Sequence, residues 1–160
     1  MVEHQIDIQI EESLGEVGLD TRILQHTVEL TLARHQIAEP CEIVVVLTDD
    51  AAIHDLNLRF RGVDRPTDVL AFPNESRGPF SGGASGFPRY LGDVVIALPQ
   101  AQVQAEAAGG TLVEELQLLV VHGTLHLLGY DHEQPADHER MWAVQAKLLR
   151  DLNIHIPLPE

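Results

Sequence analysis

Val2, His4, Ile6, Ile8 and Ile10 alternate with Glu3, Gln5, Asp7 and Gln9, a period of two that predicts a strand with one buried face over Met1 to Ile10. Helical spacing follows. Ile23, Leu24, Val28, Leu30, Leu32 and Ala33 recur with that period from Asp20, which suits an N-cap, to about Gln36, and Ala38-Glu39-Pro40 breaks the run. Glu42 to Thr48, continuously apolar from Ile43 to Leu47, predicts a central strand, and Thr48-Asp49-Asp50 caps a helix through Leu56 to about Phe60. A loop from Arg61 to Thr67 leads to a short strand, Val69 to Phe72, which Pro73 is expected to stop. Asn74 to Pro88, rich in Gly, Ser and Pro, reads as a loop, either an idle surface segment or a lid over positions 74–90. Leu91 to Leu98 predicts another strand, and Pro99 suits the first turn of a helix that reaches Ala108 before Gly109-Gly110.

Thr111 and Glu114 have the spacing of a capping box, so the next helix starts at Leu112 and runs to Leu128. Its apolar residues, among them Leu116, Leu119, Val120, Val121, Leu125 and Leu127, cover most of its circumference, which implies a helix enclosed by the rest of the protein. Pro135 to about Leu152 makes a final amphipathic helix. Together these elements predict a single α+β domain over residues 1–160, a small, mixed, four-stranded sheet packed by about five helices.

The enclosed helix carries the candidate chemistry. His122 and His126, four positions apart, differ by only about 40° around a helix and project from one face. Gly129 ends the helix as a left-handed residue and lets the chain return His132 to the same point. Two uncoordinated imidazoles in an apolar setting would cost about a few kcal/mol, which metal ligation offsets. Three nitrogen ligands with a fourth position open is the pattern of a catalytic rather than a structural zinc site. One Zn²⁺ per chain is the expected cofactor, with other late first-row metals acceptable to the same ligands. Hydrolysis by metal-activated water is the economical chemistry. In the zinc peptidase motif a Glu follows the first histidine as general base, and here that position is Gly123. His138 is expected on the exposed face of the last helix, and His4, His26, His35, His54 and His155 carry no signal.

Composition narrows the substrate. A formal net charge of −15 argues against a general nucleic-acid coat protein. Five of the ten cations, Arg59, Arg61, Arg65, Arg77 and Arg89, nevertheless fall between positions 59 and 89, where the acids are Asp64, Asp68 and Glu75. Phe60, Phe72, Phe80 and Phe87 lie in the same span. Arginine interleaved with aromatics can bind single-stranded nucleic acid, although packed rings beside solvated charges would give the same composition. The single Cys41 excludes an internal disulfide and fits a reducing cytoplasm as an inert core thiol. No membrane span or secretory leader is indicated.

The run His122-Gly123-Thr124-Leu125-His126-Leu127-Leu128-Gly129-Tyr130-Asp131-His132, with the stretches Leu56 to Pro73 and Leu91 to Ile96, closely resembles the YbeY family of bacterial and organellar endoribonucleases. The likeness covers roughly positions 40 to 142. It implies that His122, His126 and His132 hold a zinc-type ion and that Arg61 is needed for activity. It also implies cleavage of single-stranded RNA, maturation of ribosomal RNA ends from the precursor, and ribosome quality control in the cytoplasm. Small ribosomal subunit proteins are candidate partners; DNA and membranes are not expected. Ala71 departs from the serine common before Phe-Pro in the family. Arg61 is then expected to place forked donors on phosphoryl oxygens, with Arg59 assisting in substrate binding. Asp131 is expected to orient His132 or the attacking water, and Asp93 to do similar work if its strand end faces the cleft. Two rivals remain: a noncatalytic ribosome-assembly factor stapled by metal, and a peptidase or amidase, against which Gly123 already counts.

Overall fold

Alternation of Ile6, Ile8 and Ile10 with polar residues makes the first strand, and the computed structural model, which describes residues 3–74 and 88–155, places it at a sheet edge with those isoleucines turned inward. The elements run β1 (Gln5–Ile10), α1 (Thr21–Arg34), β2 (Cys41–Thr48), α2 (Asp50–Arg61), β3 (Val69–Pro73), β4 (Arg89–Ala97), α3 (Leu98–Ala108), α4 (Leu112–Leu127) and α5 (Pro135–Asp151). The sheet order is β1-β2-β4-β3, with β2 parallel to both β1 and β4 and β3 antiparallel at the far edge. The α+β class, the four-stranded mixed sheet and the five helices agree with the pattern of the sequence.

Register explains the two cores. Ile8, Val45, Val94 and Ala71 lie in one row across the sheet, on the face that packs with Val28 and Leu32 of α1 and Leu116, Val120 and Leu127 of α4. Val46, Val95 and Leu70 form a row on the opposite face, where Ile53 of α2 covers them. The outer side of α4 is closed by α5: Leu118, Val121 and Leu125 pack with Met141, Leu148 and Leu149. This double burial accounts for a helix that is apolar nearly all round.

Caps fall where the side chains ask for them. Asp20 accepts from the N–H of Arg22, Asp49 accepts from the N–H of Ala52 at 2.8 Å, and Thr111 and Glu114 form the reciprocal capping box. Several expected boundaries move. The first strand begins at Gln5, a short 3₁₀ turn at Glu12–Leu14 follows it, and Pro73 ends inside β3 rather than stopping the strand before it. Pro73 is tolerated there because β3 is an edge strand with no further ladder to feed. Arg61 is the last residue of α2, not part of the loop. The stretch 75–87, with Glu75, Arg77, Phe80, Phe87 and most of the expected lid, lies outside the described residues. Cys41 is a buried core thiol, as its strand suggested, and burial pushes its pKa up.

The seat of α4 on the sheet is set by Gly123. A Cβ at that position would sit 2.5 Å from Cγ1 of Val94, so only glycine lets the helix lie this close to β4. Gly123→Ala is expected to destabilise the protein by roughly 1–2 kcal/mol in urea denaturation, overpacking outweighing the better helix propensity of alanine. Adding Val94→Ala should cost less than the sum of the single changes; strict additivity would contradict the contact.

Glu115, in the first turn of α4, is 4% exposed, and burial together with the Asp68 carboxylate raises its pKa from 4.5 to about 6. The folded protein therefore binds this proton more tightly than the unfolded chain. The stability it contributes is complete below about 4.5 and is lost as pH rises through about 6. Glu115→Gln is expected to exceed the parent protein in stability by on the order of 1 kcal/mol at neutral pH and to lose that advantage in acid. Denaturation curves at the two ends of this window check it.

Candidate metal centre

Gly129 ends α4 with φ of 103°, and its N–H and that of Tyr130 donate to the carbonyls of His126 and Leu125, each at 3.0 Å. This is the paired bond pattern of a Schellman turn, and the accompanying contact of Tyr130 with the Leu125 cluster secures it. Asp131 closes the following turn by accepting the N–H of His132 at 2.7 Å. The chain thus doubles back, and the His132 ring lies 5.1 Å from that of His126 and 5.7 Å from that of His122. One ligand atom from each of the three histidines falls within 4.8 Å of the others.

Both helical imidazoles are oriented from behind. Nδ1 of His126 donates to the carbonyl of Tyr130 at 2.9 Å, and Nδ1 of His122 donates to Oε1 of Gln145 at 3.0 Å. With these oxygens as acceptors, the protons sit on Nδ1 and both Nε2 atoms carry lone pairs. Those two atoms face each other at 3.2 Å. Lone pairs so placed repel, and a shared cation relieves them. Tetrahedral ligand bonds of about 2.0–2.1 Å set ligand nitrogens about 3.3 Å apart, so the pair fits a zinc-type ion. Burial pushes His122 below the usual histidine range. It pushes His126 down to about 4, with help from the neighbouring His122 and His132, so the neutral, ligating form persists.

The histidines open onto a cavity of about 450 Å³. Arg61 and Asp131 line it with them, as do Val69, Leu70, Ala71 and Pro73 of β3. Arg61 is carried by the end of α2, which the Phe60–Phe72 edge contact at 5.3 Å ties to β3, and Asn57 Nδ2 holds the next loop by donating to the Arg65 carbonyl at 2.8 Å. Bonds from Asn74 N–H to Leu91 and from Ala97 N–H to Asp68 fix which β3 residues pair with β4. By alternation, the main-chain groups of Val69 and Ala71 point to the free edge, beside the cavity.

Two expected contributors lie elsewhere. Arg59 is paired with Asp55 at 3.3 Å on the exposed side of α2 and does not line the cavity. Asp93 sits in mid β4 opposite Val44 and Phe72, takes the Tyr90 hydroxyl, and is likewise absent from the lining. His138 is half-buried rather than exposed, its ring stacked on Trp142 at 4.0 Å. Gln145 escaped notice in the sequence, yet it is fully buried and holds a candidate ligand. Its signal was a polar residue in the apolar stripe formed with Met141, Leu148 and Leu149.

Comparison with known proteins agrees with this architecture. The family model described as Endoribonuclease YbeY matches residues 6–153. A Roseiflexus sp. (strain RS-1) protein named Endoribonuclease YbeY is 41% identical over 153 residues, covering 95% of each chain. One of the same name from Gloeobacter violaceus is 42% identical over 96% of this chain and 76% of its own. The solution structure of TM1509 from Thermotoga maritima superposes with a TM-score of 0.55 at 26% identity, covering 93% of this chain and 92% of that one.

Gln145 gives the most direct test of the metal centre. Gln145→Leu keeps the core filled and removes the acceptor behind His122 together with a buried amide nitrogen. Zinc affinity, measured by competition with a chelator, is expected to fall about 10–100-fold, and the metal-free protein to lose about 1–3 kcal/mol of stability as the buried His122 Nδ1–H loses its acceptor. Unaltered affinity would mean that His122 needs no such support.

Proposed function

The chain belongs to the Endoribonuclease YbeY family, and from that membership we propose that it is a metal-dependent endoribonuclease that cuts single-stranded RNA. Its work is the maturation of ribosomal RNA ends and the quality control of ribosomes in the cytoplasm, with precursor ribosomal RNA as substrate and small ribosomal subunit proteins as partners. The observation that carries the reading is one cavity holding three convergent imidazoles and Arg61. His122, His126 and His132 would hold the ion, zinc by preference for a nitrogen donor set. A bound ion of this kind supplies a Lewis acid and lowers the pKa of water toward neutrality.

The protein's own groups do the rest. Arg61 directs forked donors at a phosphodiester and meets the negative charge that grows on its oxygens during attack. Asp131 holds the turn of His132 with Oδ1 and keeps Oδ2 for a proton released from water. The outward N–H and carbonyl of Ala71 offer the strand a main-chain foothold where the family commonly has a hydroxyl. Arg59 stands one helix face away and contributes at most to the approach of RNA. A peptidase reading must find another base, because position 123, where the zinc peptidase motif carries Glu, is a glycine pressed against Val94.

Purified protein loaded with zinc is expected to cleave single-stranded RNA, with Arg61→Ala lowering the rate about 10²–10³-fold and His126→Ala abolishing it. Full activity in either variant would refute the assignment. Unfolding on chelation, together with no cleavage by the loaded protein, would instead favour a metal staple in ribosome assembly.

A further inference from the structure

Tyr130 is a wall of three adjoining cavities. One face of its turn borders the histidine cavity; beyond it lies a hollow of about 310 Å³ bounded by His35 and Arg140, and then one of about 210 Å³ bounded by Arg34, His35 and Lys147. Together the outer two form a groove between the C-terminal end of α1 and α5. Its position is fixed by a hydrogen-bond chain: His35 Nδ1 donates to the Thr31 carbonyl at 2.7 Å, and the Tyr130 hydroxyl donates to His35 Nε2 at 3.0 Å.

We propose that this groove is an extended binding track for the RNA strand that passes through the histidine cavity, with phosphates held by Arg140, Lys147 and Arg34 and a base resting on Tyr130. The inference builds on the endoribonuclease reading above. Three observations carry it. First, placement of cations: the chain has ten Lys and Arg against twenty-five Asp and Glu, yet three of the ten gather here, including its single lysine. Second, availability. Among the described residues the ion pairs of Arg34 and Arg140 are with Asp151 at 3.1 Å and Asp137 at 3.5 Å, solvent-facing pairs that a phosphate can displace, and Lys147 has no acidic partner. Three cations against two carboxylates leave the groove positive inside a chain of −15. Third, the aromatic: the Tyr130 ring has His35 at its edge, 5.5 Å away, and the Arg140 guanidinium 5.8 Å from its centre, the ring-and-cation grouping on which single-stranded bases stack. Continuity with the cavity through Tyr130 favours a nucleic-acid strand over an acidic protein segment.

The test compares affinities of the full-length, metal-free protein for a trinucleotide and a decanucleotide of uridine by fluorescence anisotropy. Lys147→Ala and Arg140→Ala should each weaken the decanucleotide about 3–10-fold, lower its salt slope by about 0.7 and shrink the long-to-short affinity ratio. Lys147→Glu should weaken it further and Lys147→Arg restore it, while Arg22→Ala, a cation at the opposite end of α1, should leave decanucleotide affinity at the parental value. Decanucleotide affinity untouched by Lys147→Glu would overturn the track and leave the groove to an acidic protein partner. Equal loss for both oligonucleotides would also overturn it, since that is the effect of a disturbed central cavity. Failure of the parent protein to cleave RNA, with the groove effects intact, would count against the nuclease reading and not against the track.

Discussion

Two imidazole nitrogens held 3.2 Å apart with their lone pairs turned forward draw positive charge between them, and the region around α4 keeps them there. Each ring has an oxygen behind it, which holds the proton on Nδ1 and turns Nε2 forward. The oxygens come from opposite directions. One is the backbone of the turn that Gly129 permits, the other a side chain of α5 that reaches α4 from outside. Between them α4 cannot rotate, because Gly123 seats it on Val94 and the leucines of its outer face are clamped by α5. Burial adds to the effect by keeping His122 and His126 neutral, the form that binds metal.

Most of this was legible wherever the cause is local. Strand alternation, helix periodicity, the Asp20, Asp49 and Thr111 caps and the helix-ending Gly129 depend on neighbours within a turn or two, and the elements formed where those signals lie. The histidine cluster is local in the same sense, ten residues from first to last. What sequence could not supply was direction relative to distant parts. Arg59 and Arg61 are two apart on a helix, about 200° around its axis, so only one of them can face a given cavity. Asp93 precedes Val94 on a strand, and since Val94 lies under α4, Asp93 must point to the other side of the sheet. Gln145 meets His122 across twenty-three residues, through helix packing that no spacing encodes.

The antiparallel β3 solves a different problem. It follows α2 after a short loop, so Arg61 at the end of that helix and the residues of β3 line the histidine cavity together. An open edge is ordinarily a hazard for association between chains. Here it is short, ends in a proline without an N–H, has its Val69 N–H taken by the Asp68 carboxylate at 2.7 Å, and borders the cavity, so it offers another sheet little to pair with.

The acidic surface has a consequence for an enzyme acting on RNA. With a net charge of −15, most of the exterior repels phosphate, and attraction is confined to the few places where cations gather. A duplex brings a dense double row of phosphates against that exterior and must meet carboxylates wherever it meets arginines. A single strand is thinner and flexible enough to follow a narrow path between them. On the proposed reading, selectivity for unpaired RNA would arise as much from repulsion outside the cavity as from contacts within it, and so few cations would suffice without binding nucleic acid at large.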